Sequence, residues 1–373
     1  MRIVVFGLSI TSSWGNGHAT TYRALIKALA ARGHRVTFFE RDVPWYRNHR
    51  DLPASSYCRI ELYGALAEIP QRFRKPVAEA DLVIVGSFVP DGAVLGEWVT
   101  AAARGVTAFY DIDTPVTLNR LHAKRADYLT PSLIPRFDLY LSFTGGPSLE
   151  RIETRYGSPR ARALYCGVDP DLHKPVAEPP RWTLGYLGTY SEDRQPALER
   201  LLLEPARGRP QDRFVVAGAQ YPPHLPWPGN VEHIEHLPPG AHSAFYCAQR
   251  FTLNVTRRAM LDAGFSPSVR LFEAAACGVP IISDRWPGLE TFFTPEKEIL
   301  LADSAEDVVR LIRDLPEEVR RRVADAALRR VRVSHTACCR ARQLEEYYAE
   351  VAARNVVRLR ACTPIERLAS APA

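Results

Sequence analysis

The chain has no C-x-x-C pair. Its seven cysteines, at 58, 166, 247, 277, 338, 339 and 362, are odd in number, which argues against a closed disulfide framework and against a cysteine zinc site. Cys338 and Cys339 adjoin and read as two helix residues. No apolar run approaches the roughly 18 residues that a spanning helix needs, so no membrane span is expected. Met1-Arg2 leads directly into Ile3-Val-Val-Phe6, read as a first strand and not a signal peptide, and a reducing cytoplasm is the expected compartment. A strong charge of one sign is also missing: 48 Lys+Arg stand against 42 Asp+Glu, a dispersed net +6. Such a surface suits an enzyme of anionic ligands as well as it suits a weak nucleic-acid or membrane-surface binder; with acidic residues interleaved among the arginines, no nucleic-acid partner is expected.

At 373 residues the chain is long for one core, and two domains are expected, over 1–174 and 181–335. Pro175, Pro179 and Pro180 mark a linker between them. A terminal helix follows over 336–360, its clearest stretch Gln343–Leu359, then a loose tail over 361–373. Each domain reads as a βαβ series with short apolar strands of the kind buried in parallel sheets. In the first, strand Arg2–Gly7 runs through a Gly15-Asn-Gly17-His18 loop into a helix stopped by Gly33, then strand Val36–Glu40. Thr20 stands where G-x-G-x-x-G requires its third glycine, which excludes the dinucleotide fingerprint. In the second, Trp182–Gly188 precedes a loop with Thr189, Tyr190 and Arg194 and a helix over Ala197–Leu203. Phe251–Arg258 reads as a strand ending in basic groups. His233, His236 and His242 fall close together but lack a cysteine or carboxylate set at ligand spacing, so no metal is expected.

The organising stretch is Ser266-Pro-Ser268-Val269-Arg270-Leu-Phe-Glu273-Ala-Ala-Ala-Cys-Gly278, followed by Val279-Pro-Ile-Ile. Pro267 and Ser268 open a helix, Gly278 closes it, and a buried strand follows. A helix N-terminus with Arg270 in its first turn suits a diphosphate. Glu273, one turn on, can accept hydrogen bonds from a pair of ribose hydroxyls. From these residues alone, an ordinary amphipathic helix with solvated Arg and Glu remains equally open.

This stretch resembles the nucleotide-binding signature of the two-domain GT-B glycosyltransferases, in the branch of the CgeB-like proteins. Their Ser-x-Arg-x-Phe-Glu-Ala-x-Ala-x-Gly pattern is matched by Ser268, Arg270, Phe272, Glu273, Ala274, Ala276 and Gly278. The retaining family-4 members carry a further Glu eight residues before the ribose-binding one; here that position is Phe265, so a donor-sugar contact from it has no counterpart. The resemblance implies an α/β fold of GT-B architecture, two Rossmann-like doubly wound domains facing a cleft, with the last helix returning to the first domain. It implies transfer of a sugar from a UDP- or dTDP-type donor to a hydroxyl of a small-molecule natural product or glycan, without a metal, by a monomer or homodimer.

On that reading the donor contacts are Gly17, Thr189, Tyr190, Arg194, Arg257, Ser268, Val269, Arg270 and Glu273. The catalytic residues are His18, which several GT-B families match in this first loop, with Asp111 or Asp113 orienting it. Trp45 and Tyr46, in an aromatic and charged loop after the second strand, are the acceptor contacts. A nucleotide-sugar 2-epimerase of the same fold, a non-catalytic nucleotide-sugar-binding protein and a phosphate-backbone binder are the alternatives.

Overall fold

The structure, a computed structural model, describes residues 1–362, with side chains described through residue 353. Beyond residue 362 the expected tail lies outside the described residues. Two wholly parallel sheets account for all thirteen strands described. The first contains β1 (Arg2–Gly7), β2 (Arg35–Arg41), β3 (Arg59–Tyr63), β4 (Leu82–Gly86), β5 (Val106–Asp111), β6 (Leu139–Ser142) and β7 (Ala161–Ala163). Their order is β3-β2-β1-β4-β5-β6-β7. The second contains β8 (Trp182–Leu187), β9 (Phe214–Ala217), β10 (Val231–Ile234), β11 (Gln249–Asn254), β12 (Ile281–Ser283) and β13 (Leu300–Leu301), in the order β10-β9-β8-β11-β12-β13.

The central strands are apolar on both faces because helices cover both. Phe6, Leu82, Phe109, Leu184 and Phe251 are buried, and each sheet is flanked by a separate apolar cluster on either side. In both sheets the strand order reverses beside the first strand, β1 or β8. Open α/β sheets bind ligands at that switch point, outside the carboxyl ends of the strands.

Seven helices matter to the site: α1 (Gly17–Ala31), α2 (Thr114–His122), α3 (His242–Cys247), α4 (Arg258–Ala263), α5 (Val269–Ala276), α6 (Glu317–Ser334) and α7 (Ala337–Cys362). The Asn16 side chain caps α1 by accepting from the His18 N–H at 3.0 Å. Gly278 closes α5 at φ +72°, with the Gly278 and Val279 N–H groups returning to the Ala275 and Ala274 carbonyls. The last helix folds back onto the first lobe: Ala341, Leu344 and Val351 join its core, and Glu345 pairs with Arg32 at 2.6 Å. The chain therefore passes twice between the lobes. The two passages run side by side, with the Val168 N–H donating to His335 O at 3.1 Å and the Ala337 N–H to Val168 O at 2.8 Å.

Two expectations shift. The strand expected through Arg258 ends at Asn254, and Arg258 opens α4. The helix expected over Ala197–Leu203 runs from Gln195 to Gly208 through a π-helical turn at Glu199–Leu203; Pro205 has no N–H for the Leu201 carbonyl, and the wider turn absorbs that loss. The terminal helix starts at Ala337, within a residue of the expected 336, where Thr336 Oγ1 accepts from the Cys339 N–H at 3.3 Å.

Candidate functional site

The switch points of the two sheets face one another across a cleft of about 580 Å³. On the first lobe its wall is the loop after β1. Glu40, fully buried at the end of β2, fixes that loop: it accepts from the Ile10 N–H at 2.7 Å, the Thr11 N–H at 3.0 Å, Ser9 Oγ at 3.0 Å and Thr11 Oγ1 at 2.6 Å. The loop in turn delivers Gly17 and His18 to the cleft.

His18 Nε2 lies 2.9 Å from Asp113 Oδ2, joining residues 95 apart in sequence. His18 is almost enclosed, with its edge against the Phe88 ring at 5.8 Å, whereas 37% of the Asp113 side chain remains exposed. Burial works to raise the Asp113 pKa, but the His18 hydrogen bond and the charges of His18, Arg257 and Arg120 outweigh it and hold the carboxyl below its ordinary value. Asp113 is therefore the cleft-facing, ionised member of the pair. Asp111, the other residue expected beside His18, does not meet it. Asp111 is fully buried below the cleft and accepts from Tyr140 Oη at 2.5 Å and Thr117 Oγ1 at 2.7 Å, and burial raises its pKa to about 6. It anchors α2 instead of lining the cleft.

The opposite wall carries three guanidinium groups. Arg270, in the first turn of α5, lies 4.4 Å over the Tyr186 ring. It donates from Nε to Leu187 O, from Nη1 to Asn254 Oδ1 at 3.0 Å and from Nη2 to Tyr186 Oη at 3.3 Å. Gly188 makes room for this arm, since a Cβ there would fall 2.6 Å from Arg270 Nη2. Arg194 reaches Thr189 O at 2.7 Å, and burial pulls its pKa down from the ordinary guanidinium value. Arg257 stands 3.6 Å from Asp193. The Nε groups of both Arg194 and Arg257 are buried without a hydrogen-bond partner, that of Arg257 facing Asp193 only at ion-pair range, and an anion in the cleft would satisfy them. Ser268 is the N-cap residue of α5, but its hydroxyl donates to Asn254 Oδ1 at 3.0 Å instead of capping.

Glu273 is 4% exposed and accepts from Tyr246 Oη at 3.2 Å. His173 Nε2 and His242 Nδ1 approach its two carboxylate oxygens at 3.6 and 3.8 Å. The three closely spaced histidines of the sequence thus separate. His233 stacks on Trp227 at 4.8 Å, His236 meets Trp14 at 4.4 Å, and only His242 faces a carboxylate.

Of the other expected contacts, Gly17, Tyr46, Thr189, Ser268 and Val269 line the cleft. Trp45 stands outside it, 54% exposed and leaning on His49. Tyr190 also lies outside, with its ring against Tyr221 at 5.5 Å. Residues that the sequence did not single out include Glu40, Asn254, Tyr186, Arg120 and Phe88. Arg120 lies over the Phe88 ring at 4.8 Å, and Phe88 holds φ +61°. Their signal is tertiary, since each acts through a partner from a distant segment.

Residues 194–346, which contain Arg194, Arg257, α5 and Glu273, match the family model described as "Glycosyl transferase-like". The chain carries a glycosyltransferase domain. No curated protein matches the chain significantly. Solved structures similar to this glycosyltransferase include a sucrose-phosphate synthase from Thermosynechococcus elongatus, at 18% identity and TM-score 0.70, over 95% of this chain and 99% of that one. Anabaena HepE in complex with UDP and glucose is similar at 14% identity and TM-score 0.69, over 94% and 100%. An alpha-glucosyltransferase in complex with UDP-glucose and DNA containing an abasic site gives 14%, 0.69, 94% and 99%. These likenesses establish the GT-B fold of the glycosyltransferase. No helix among its described residues is long and apolar enough to cross a membrane.

Proposed function

We propose that this glycosyltransferase moves a hexosyl group, glucose being the first choice, from a UDP-sugar to a hydroxyl of a small-molecule natural product or glycan acceptor. The observation that carries the reading is the opposition, across one cleft, of the His18–Asp113 pair and the three guanidinium groups of Arg194, Arg257 and Arg270. The choice of UDP is supported by HepE and the alpha-glucosyltransferase, which bind UDP in their structures.

In this reading the helix N-terminus of α5 and the three arginines hold the diphosphate and offset the charge that develops on it as the sugar leaves. They supply this compensation without a divalent ion at the diphosphate. Glu273 accepts from the ribose hydroxyls. Asp113, kept ionised and oriented by His18, receives the acceptor hydroxyl, and the pair takes up its proton. Tyr46 lines the acceptor side; Trp45 has no contact to offer there.

Calorimetric titration with UDP, dTDP, GDP and ADP tests the donor half. UDP is expected to bind in the micromolar range and to lose binding in Glu273→Ala. If none of the four binds the folded protein, the donor assignment fails.

A further inference from the structure

His173, His242 and Glu273 present a second chemistry at the inner end of the cleft. They come from three separate segments: the first passage between the lobes, the start of α3 and the second turn of α5. One ligand atom from each lies within 4.8 Å of the others. The two imidazole–carboxylate separations, 3.6 and 3.8 Å, are too long for hydrogen bonds. They run to different carboxylate oxygens, Oε1 and Oε2, and each is close to the spacing of about 3.4 Å between neighbouring ligand atoms held on bonds of about 2.0–2.2 Å. The three groups face one another without hydrogen-bonding.

Independent of that spacing, the histidines lack partners. His173 is 2% exposed, yet neither of its ring nitrogens has a hydrogen-bond partner, and the same holds for His242 Nδ1. Buried polar atoms rarely stay unpaired without a ligand or a role. The surroundings also suit ligation. Tyr246 Oη donates to Glu273 Oε2 at 3.2 Å. Such outer contacts orient metal ligands. His173 is held by its own N–H to Asp169 O at 2.8 Å. Glu273 and His242 open onto the cleft, so an ion has an entry path and a fourth, open position.

We propose that His173, His242 and Glu273 form a binding site for a divalent transition-metal ion with zinc's preference for imidazole and carboxylate ligands. Two imidazoles and one carboxylate suit zinc or cobalt over magnesium or calcium. A corollary rests on the donor reading above: the ion and the ribose both require Glu273, so metal and nucleotide exclude each other. The ion is then an antagonist of the donor, distinct from any ion that would bridge a diphosphate.

The test uses the full chain, freed of metal by chelation. Cobalt(II) titration is expected to give one equivalent of bound ion with the intense visible ligand-field bands of a tetrahedral nitrogen–oxygen site, displaced by zinc. His173→Gln and His242→Gln should each lose these bands while unfolding cooperatively. A folded wild type that shows no such bands, or bands that survive in both variants, overturns the site. UDP affinity is measured separately, with and without saturating zinc. The wild-type dissociation constant should rise at least tenfold with zinc, and the zinc-to-no-zinc ratio should fall to one in His173→Gln whatever that variant's own affinity. A ratio of one in wild type overturns the antagonism. Cobalt bands in a protein that binds no nucleotide leave the metal site standing and refute the donor reading instead.

Discussion

Phe265 of the second lobe lays its ring against Gly146 of the first, so closely that a Cβ at Gly146 would fall 2.4 Å from the ring. The same ring meets Gly288 on its other side, and the Phe265 carbonyl accepts from the Gly145 N–H at 2.9 Å. Phe265 holds φ +46° and Gly146 φ +57°. The position that is acidic in family-4 enzymes is here an apolar wedge between the lobes. Gly146→Ala is expected to lower stability by about 1–3 kcal/mol through backbone strain and the clash, read as a fall in the thermal midpoint. An unchanged midpoint would mean that the wedge is loose.

Asp113→Asn keeps the shape of the His18 pair but removes its charge. Turnover is expected to fall about 10²–10⁴-fold, with UDP affinity changed far less, because Asp113 hydrogen-bonds His18 and touches the donor arginines only through the charge of Arg257. Steady-state kinetics beside calorimetry separates the two effects. An equal loss in both would place Asp113 at the donor.

Asp111 gives a pH signature of stability. Its pKa in the folded protein is about 6 against an ordinary 3.8, so between those values the folded state binds more protons than the unfolded. Stability therefore falls as pH rises from about 4 to 6 and levels off above, by an amount on the order of 3 kcal/mol from this group. Denaturant melts of wild type and Asp111→Asn across that window should show the slope only in wild type.

Gly188→Ala is expected to displace the Arg270 guanidinium and to weaken UDP binding about tenfold or more without loss of fold. Arg270→Lys should do the same, since an ammonium cannot reproduce the forked contacts to Leu187, Asn254 and Tyr186. Calorimetry on both variants checks this; full affinity in Arg270→Lys would show that only charge matters there.

Much of this was legible in the residues, and the limits have physical causes. The apolar runs at Ile3–Phe6 and Ile281–Ile282 read as buried parallel strands because both faces are covered. The Pro267–Gly278 stretch carries both of its end signals within a dozen residues, so α5 was readable to within a residue. β3 was missed because Arg-Ile-Glu-Leu-Tyr at a sheet edge has charged residues, Arg59 and Glu61, at two of its five positions. Asp111 and Asp113 were indistinguishable in sequence: two residues apart, they would share a face on an extended segment, and it is the turn from the end of β5 at Asp111 to the N-cap of α2 at Asp113 that separates them. Glu40 ends the second strand beside a charged loop, and nothing local shows that its carboxylate is sequestered by a loop 30 residues upstream. His173 could not be linked to Glu273, a hundred residues away, by any local pattern.

The paired passages at Val168 and Thr336 act as an axle. Because both covalent connections lie on that one line, rotation about it changes the lobe separation without stretching either connection. His173 belongs to the first passage and sits against Glu273, so the Glu273 end of the cleft lies near the axle and travels on a short arc. Trp14 is sandwiched between His49 of its own lobe and His236 of the other. A turn about the axle therefore loads that stack directly, and the tryptophan couples the two lobes away from their covalent connections.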